Sequence, residues 1–355
     1  METEQLRVTV LECGGHVAEI VCKSAGETNP LWIQNRPTID SDQYDPALHG
    51  AIYGVDAEAR AISGISGHNL CLPFWGTPTP TEERAGMTYH GETNIVRWRA
   101  LAEEPGRLKT EAILPNSQIR FEREMVCRGN LVHFAARAEN LSAWDRPISW
   151  CEHVTVGPPF LEAGGTSFFS NLTRGFDTMT EGSAEKWADG PKEEFLWPEG
   201  RGEFPHRLTG FGPRKRADLV NSFLVDPACE HGYFAAWNPG LRLLFGYIFP
   251  RRDFRWMNVW ESNKDERQTR GMEFSNTPIA GTMKALLRTS EIWGTPTLEW
   301  LDAKSELRKS FTAFSAVIPE DYPGVSNITV DGGKLTIAAC NGGAPIVFDY
   351  RPGEN

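Results

Sequence analysis

The chain has 355 residues, of which 40% are apolar and 23% charged, and its formal net charge is −11. This composition is that of a globular protein, and the acidic balance argues against a nucleic-acid partner, which would require a basic face. Because no apolar run reaches the length of a membrane span and the N-terminus lacks a secretory pattern, we expect a cytoplasmic protein without membrane association.

The cysteines and histidines show no metal-binding pattern. The seven cysteines are scattered and odd in number, and the eight histidines have no ligand spacing. The chain also lacks a phosphate-binding glycine loop, a dinucleotide fingerprint and a serine elbow. We therefore expect no disulfide framework, no metal site and no cofactor, while the oligomeric state stays open.

Short alternating segments separated by glycine and proline dominate the chain and predict an all-β sandwich or barrel. In chain order, the predicted strands outside the central hairpin are Leu6–Leu11, Val17–Cys22, Ile95–Leu101, Arg107–Leu114, Ser149–Val156, Leu219–Asp226, Tyr233–Trp237, Leu241–Phe249, Trp256–Glu261, Gly271–Ser275 and Leu335–Cys340.

The clearest local signal is a β-hairpin in the middle of the chain. Apolar and polar side chains alternate from Ile119 to Val126 and again from Leu131 to Asn140, with the turn pair Gly129-Asn130 between them. A period of two on both arms, joined by a short turn, indicates two antiparallel strands with one solvated face.

Three other segments depart from the strand pattern. Ala303–Phe314 has a leucine and phenylalanine stripe that predicts a helix, and the stretches Asn35–Gly67 and Glu181–Pro213 are long and polar. Loops of that length in a compact domain are usually functional or partly disordered. With no internal repeat and no linker, residues 1–355 are predicted to form a single domain.

Two histidines are candidates for acid–base chemistry, because imidazole exchanges a proton near neutral pH. His153 lies in the predicted strand after the hairpin, and His90 lies in a loop beside a glycine that leaves room for a ligand. Since neighbours in a strand face opposite ways, His153 and Glu152 are not expected to share a pocket. Each histidine could instead be a satisfied structural residue.

Glu273 is the candidate general base. It lies between Met272 and Phe274 in a short predicted strand, and a carboxylate among apolar neighbours has a raised pKa. Trp75 and Trp260 lie close to turns and are candidates for stacking on a sugar ring, although core packing is the more common role of tryptophan.

Taken in order, several short motifs resemble the aldose 1-epimerase (galactose mutarotase-like) superfamily. The resemblance covers most of the chain as order and local context rather than as a dense signature. It rests on Gly14-Gly15, His90-Gly91, Asn140-Leu141-Ser142 followed by Pro147 and His153, Pro239-Gly240-Leu241, and Gly271-Met272-Glu273.

The resemblance implies a fold, a reaction and three roles. That family folds as a supersandwich of large antiparallel sheets, and its catalytic members interconvert the anomers of a monosaccharide. By position, Glu273 resembles the base that takes the anomeric hydroxyl proton, and His153 resembles the acid that protonates the ring oxygen. His90 resembles a second histidine that holds the substrate.

The resemblance fails at one point. Family members commonly carry an Asn-Arg pair upstream of the first histidine, but residues Gly67 to Gly76 contain no arginine. His68 or Asn69 could replace it as a substrate-binding donor, though neither reproduces a guanidinium fork. Asp226 is the candidate for an aspartate that some members use. This departure favours a branch acting on another sugar or sugar derivative.

Two further functions stay open. The missing arginine and the many tryptophans also fit a non-catalytic carbohydrate-binding protein that keeps the pocket. A glycosidase or lyase would need a second carboxylate beside Glu273, for which Glu152 faces the wrong way and Glu261 has no support. Arg251 and Arg252 could hold a phosphorylated sugar or form a solvated turn.

Overall fold

The computed structural model describes residues 1–178, 191, 193–201, 206–212, 218–262 and 268–352. The described residues form four short α-helices: α1 (Pro46–Tyr53), α2 (Ala59–Gly64), α3 (Pro80–Arg84) and α4 (Met283–Arg288). None of these helices has the length and apolar character needed to cross a membrane.

Strands make up most of the described chain. In order they are β1 (Leu6–Val10), β2 (Val17–Cys22), β3 (His68–Cys71), β4 (Arg99–Glu104), β5 (Arg107–Leu114), β6 (Ile119–Arg128), β7 (Leu131–Asn140), β8 (Arg146–Ile148), β9 (Cys151–Val156), β10 (Ser167–Ser170), β11 (Leu172–Asp177), β12 (Phe195–Leu196), β13 (Glu199–Gly200), β14 (His206–Arg207), β15 (Asp218–Val225), β16 (His231–Asn238), β17 (Leu243–Pro250), β18 (Trp256–Ser262), β19 (Thr269–Ser275), β20 (Glu291–Ile292), β21 (Thr295–Pro296), β22 (Glu299–Leu301), β23 (Glu306–Val317), β24 (Val325–Asp331), β25 (Lys334–Ala339) and β26 (Ile346–Asp349).

Two large antiparallel sheets dominate the described residues, and they confirm the all-β prediction. The first sheet has the order β1-β2-β3-β9-β19-β18-β15-β11-β12, and the second has the order β10-β16-β17-β23-β7-β6-β5-β4. Both orders mix strands from distant parts of the chain, so residues far apart in sequence become neighbours.

The hydrophobic core lies between these sheets. Phe274 of the first sheet stacks on Phe249 of the second with ring centroids 4.5 Å apart, and it meets Phe311 edge-on at 5.1 Å. Buried side chains from both sheets belong to the same apolar cluster. The opposite face of the first sheet therefore remains available for a site.

The predicted hairpin is confirmed. β6 and β7 pair from Ile119 with Asn140 to Arg128 with Leu131, and the two residues between them form the turn. Side chains on β6 alternate strictly between buried and half-buried positions. The period of two in the sequence thus reports a strand with one face in the core.

The predicted helix at Ala303–Phe314 is wrong, because most of this segment belongs to strand β23. β23 pairs with β7 on one side and β17 on the other. Its Phe311 packs in the core between the sheets, whereas Phe314 packs on the opposite face against another apolar cluster. A strand that is buried on both faces loses the simple alternation by which strands are recognised.

The C-terminal strands β24, β25 and β26 form a small antiparallel sheet. Its Ile328, Leu335 and Ile337 share an apolar cluster with Phe314 and Leu244 of the second sheet. The small sheet therefore packs on the outer face of the sandwich. The assignment of the whole chain to one domain stays a prediction.

The two long polar stretches have different outcomes. Asn35–Gly67 contains α1 and α2 and folds over the first sheet, whereas much of Glu181–Pro213 lies outside the described residues. The strand predicted at Ile95–Leu101 begins later, at Arg99, because residues 93–95 form a 3-10 turn.

Candidate active site

Alternation along the central strands of the first sheet decides which side chains reach the site. On β9, Glu152 faces the core and its neighbour His153 faces the opposite side. On β19, Phe274 is in the core and Glu273 faces the same side as His153. This separation of Glu152 from His153 is the one expected from the strand geometry.

The strand register places these side chains in one row. Asn69 of β3 pairs with His153 of β9, and Glu273 of β19 pairs with Asn258 of β18. Between β9 and β19, Gly271 pairs with Thr155 and Phe274 pairs with Glu152. Glu273 therefore lies opposite His153. Directly opposed residues of neighbouring strands lie close enough for side-chain contact, so the fold brings a carboxyl and an imidazole together.

A cavity of about 410 Å³ lies over this part of the sheet. Its lining combines the predicted His90, His153, Glu273, Trp75 and Trp260 with residues from the polar stretch that folds over them. The structure thus brings five of the predicted site residues around one concave space, while their roles stay predictions.

The Glu273 carboxyl is 1% exposed and incompletely partnered. Its Oε1 lies 3.1 Å from Nε2 of His153, but this contact is not aligned as a hydrogen bond, and Oε1 has no other partner among the described residues. Its Oε2 lies 4.0 Å from the Cys151 thiol. A buried oxygen without a partner calls for an explanation, and a ligand donor is one.

Gly271 makes room for this carboxyl. A methyl group added at Gly271 would lie 2.6 Å from Glu273 Oε1 and 3.0 Å from the Trp260 side chain. A side chain at position 271 would therefore displace the carboxyl, so glycine is required here by packing.

His153 is held from its other ring nitrogen. Nδ1 lies 3.2 Å from the Thr155 hydroxyl, and Thr155 also lines the cavity. The hydroxyl orients the ring so that Nε2 faces Glu273, because the partner of one ring nitrogen fixes the role of the other. His153 can therefore exchange a proton with Glu273 or with a bound oxygen.

His90 is arranged as a hydrogen-bond donor. Its backbone has a left-handed φ of +64°, and its backbone N–H donates to the Gly76 carbonyl at 2.8 Å. The Gly76 N–H donates to Nδ1 of the ring at 3.1 Å, so a neutral His90 carries its proton on Nε2. A left-handed residue other than glycine is strained, and such strain is concentrated at functional sites.

Burial sets the protonation of the three groups. Burial raises the pKa of Glu273 well above its ordinary value and lowers the pKa of His153 far below its own. Burial, and then the neighbouring His153 ring, lower the pKa of His90. Burial therefore favours the neutral form of each group, which is a protonated carboxyl at Glu273 and an uncharged imidazole at His153 and His90.

An arginine reaches the cavity from the polar stretch Asn35–Gly67, in which no site residue was predicted. Arg36 lines the cavity, and its Nε donates to Gln34 Oε1 at 2.8 Å. The Gln34 amide in turn donates to the carbonyls of Ile62 and Ile65. Asn35-Arg36 is itself an Asn-Arg pair upstream of His90, and this dipeptide was the signal that could have found it.

The other predicted substrate-binding residues lie elsewhere. His68 is in the core, where it contacts Glu152 and Tyr247, because its position on β3 points away from the cavity. Asn69 is fully buried beside His153 but does not line the cavity. Asp226 follows β15, where its carboxylate accepts from the Ala228 N–H.

The residues considered for other functions also lie outside this cavity. Glu261 forms a buried ion pair with Arg270. Arg251 and Arg252 line a separate hollow. In the part of the chain that the structure describes, no three His, Cys, Asp or Glu side chains are grouped as a metal site.

Solved structures with the same architecture carry mutarotase names. No family sequence model matches the chain, and no curated protein matches it significantly. A candidate aldose 1-epimerase from Klebsiella pneumoniae subsp. pneumoniae superposes with a TM-score of 0.65 at 11% identity, over 89% of this chain and 78% of that one. A galactose mutarotase related enzyme from Lactobacillus acidophilus gives 0.60 at 10% identity, over 90% and 97%.

A galactose mutarotase-like protein from Clostridium acetobutylicum also gives a TM-score of 0.60 at 11% identity, over 88% of this chain and 93% of that one. These matches span nearly the whole chain, so the protein has the galactose mutarotase-like fold. The predicted fold class is confirmed. Identities this low establish the fold alone, because one fold supports many functions.

Proposed function

We propose that the protein interconverts the anomers of a sugar by acid–base opening of the ring. The observation that carries this proposal is the buried Glu273 Oε1, which lacks an aligned partner and lies 3.1 Å from His153 Nε2 in a cavity lined by tryptophans. The names of the structurally similar proteins support the same reaction class.

The proposed reaction needs only one shared proton. In ring opening, the shared proton first passes from Glu273 to His153. The Glu273 carboxylate then takes the proton of the anomeric hydroxyl while His153 gives its proton to the ring oxygen. After free rotation about the first carbon–carbon bond, the same two transfers run backwards and close the ring on either face. The pair carries one proton before and after each step, so no net charge develops in the buried site.

The neighbouring groups have supporting roles in this proposal. The His90 Nε2–H donates to a sugar oxygen, and Arg36 donates to hydroxyls farther from the anomeric carbon. Arg36 is preorganised for this role, because Gln34 and the Ile52 carbonyl already fix part of its guanidinium. Arg36 thus supplies the guanidinium donor that residues 67–76 lack.

The test is anomer exchange of a panel of aldoses, followed by NMR or polarimetry. Positioned acid–base groups are worth about 100- to 10,000-fold in rate, so Glu273→Gln should lose an acceleration of that order. The exposed Glu320→Gln is the matched control and should retain full activity. Acceleration that survives in Glu273→Gln would disprove the assignment, and sugar binding without any exchange would identify a binding protein instead.

A further inference from the structure

Two cysteines lie side by side on the cavity face of the first sheet, next to Glu273. Cys71 of β3 pairs directly with Cys151 of β9, and both are fully buried. Because side chains two residues apart in a strand share a face, Cys151 faces the same side as His153. The two cysteines share a small apolar cluster with Trp75, which lines the cavity. Neither thiol takes part in the proton transfers of the proposed ring opening.

Hydrogen bonds join these side chains into a chain that ends at the Glu273 carboxyl. The Asn69 amide nitrogen donates to Cys71 Sγ at 3.8 Å, and a hydrogen bond joins the two thiols. The Cys151 thiol then donates to Glu273 Oε2 at 4.0 Å. Since the amide occupies the acceptor side of Cys71, the proton of the Cys71 thiol is available to Cys151. The proton of the Cys151 thiol is then available to Glu273.

The thiol holds one carboxyl oxygen and leaves the other for the reaction. Among the residues that the structure describes, Oε2 has no hydrogen-bond donor other than Cys151, whereas Oε1 is the oxygen that faces His153. Burial raises the pKa of Cys151 well above its ordinary value, so at neutral pH the group is a thiol that can donate. The contact at Oε2 therefore orients the carboxyl with Oε1 towards His153.

The weakness of this donor preserves the basicity of the carboxylate. A thiol is a poorer donor than a hydroxyl or an amide, and stronger donors to a carboxylate lower its pKa. A carboxylate held by a thiol therefore keeps its affinity for the proton of the anomeric hydroxyl. A hydroxyl at the same position would stabilise the carboxylate more and would bind it at about 2.7 Å, which would draw Oε1 away from His153.

We propose that Cys151 is a positioning residue, which orients the Glu273 carboxyl through a weak thiol donor and so keeps it a strong base. This inference rests on the proposed function. Of the ionisable side chains that share this face with Glu273, Cys151 is the one that is hydrogen-bonded to Oε2. The others are Cys71 and His153 on the sheet, and Arg36, Glu58, Tyr89 and His90 in the segments over the cavity.

The experiment measures the pH dependence of anomer exchange by wild type, Cys151→Ser and Cys151→Ala on the aldose that the wild type exchanges fastest. Both substitutions should lower kcat by about 3- to 10-fold, the worth of one hydrogen bond. The alkaline limb of the profile should move to lower pH in Cys151→Ser, where the carboxylate gains a stronger donor. It should move to higher pH in Cys151→Ala, where the donor is lost.

Cys127→Ser is the matched control, because it also replaces a buried thiol by a hydroxyl but lies in the core on β6. This variant should leave both limbs of the profile in place. A Cys151 with a merely structural role would lower stability in both variants without moving the alkaline limb, and that result would overturn the proposal.

A second measurement does not depend on activity. Because the pKa of Glu273 is raised in the folded protein, the free energy of unfolding falls as pH rises from about 4.5 through that pKa. Between pH 4 and pH 8 this fall should be smaller in Cys151→Ser than in Cys151→Ala. Both variants lack the thiol, so ionisation of that cysteine does not contribute to the difference.

The two measurements separate this inference from the proposed function. If no aldose is exchanged but the two falls differ as expected, the proposed function fails and the role of Cys151 at the carboxyl stands. If exchange is observed but the limbs and the falls are equal, the role of Cys151 is rejected and the proposed function is kept. Cys71→Ala, which removes the donor to Cys151, replaces Cys151→Ala if that variant does not fold. It should give a smaller shift in the same direction.

Discussion

Two glutamate–histidine contacts lie on opposite faces of the first sheet, and their surroundings differ. The first joins β9 to β3, and the second joins β9 to β19. On the core face, Glu152 Oε2 lies 2.8 Å from His68 Nε2. On the cavity face, Glu273 Oε1 lies 3.1 Å from His153 Nε2. All four side chains are at least nine-tenths buried.

In the core contact, both oxygens of the Glu152 carboxylate have hydrogen-bond partners. Arg123 donates to both Glu152 oxygens, and the Trp150 indole donates to one of them. Burial pushes the pKa of Glu152 upward, but the Arg123 charge and the His68 hydrogen bond outweigh it and bring the pKa below its ordinary value. Glu152 is therefore a stable carboxylate in a structural network.

Among the described residues, no such cation contacts the Glu273 carboxyl, and burial raises the pKa of Glu273. Its oxygen keeps an unused acceptor position, and His153 can take up the proton. The comparison shows that residue type and burial do not define a catalytic pair. An unpartnered carboxyl oxygen on a residue that lines a cavity distinguishes the candidate site from the structural network.

The largest expected effect comes from breaking the core network. Arg123→Met leaves Glu152 as a buried charge without its cation, which should lower the free energy of unfolding by about 3–5 kcal/mol. Urea unfolding measures this loss. Arg99→Met removes an exposed ion pair with Glu111 and should change stability by less than about 1 kcal/mol. Equal effects of the two substitutions would contradict the contrast drawn above.

Displacing the cavity carboxyl should affect activity instead. Gly271→Ala places a methyl group against Glu273 Oε1, and a misplacement of this kind can reduce kcat for anomer exchange by about 100-fold. Gly212→Ala meets no atom of the described residues within 4 Å and is the matched control. Full activity in Gly271→Ala would show that the carboxyl position is not critical.

The buried Glu273 carboxyl should lower the stability of the folded protein at neutral pH. Because the pKa of Glu273 is raised in the folded protein, the native state binds more protons, so stability falls as pH rises from about 4.5 through the raised pKa. Glu273→Gln removes this loss. The variant should therefore be more stable than wild type at pH 7. Unfolding at pH 4, where the difference should vanish, is the control.

The smallest effect concerns the orientation of His153. Thr155→Val keeps the side-chain shape but removes the hydroxyl beside Nδ1, and we expect about a 3- to 10-fold fall in kcat for anomer exchange. Thr155→Ser should restore the rate, because it restores the hydroxyl. A Val variant as active as wild type would remove Thr155 from the account.

Much of the fold follows from local periodicity. Strand β6 of the hairpin and the second half of Arg107–Leu114 were predictable because each alternates between a buried and a more exposed face. Strand β23 was not predictable from periodicity, since both of its faces are buried. The segment Asn35–Gly67, which folds over the cavity, was not predictable either, because it has no period that indicates how it folds.

The candidate site was partly predictable for the same reason. Alternation correctly separates Glu152 from His153, but the position of His68 depends on its pairing with Val154, which one strand alone does not reveal. Arg36 approaches from a loop, so its place in the cavity depends on tertiary structure. Only the Asn-Arg dipeptide could have indicated it.

The central claim is that Glu273 and His153 share one proton during sugar ring opening, and the pH dependence of kcat/KM for anomer exchange tests it most directly. We predict a bell-shaped profile. The rate should fall at acidic pH, where the pair gains a second proton, and at alkaline pH, where it loses the shared one. A rate that rises continuously with hydroxide concentration, or a profile unchanged by Glu273→Gln, would contradict the claim.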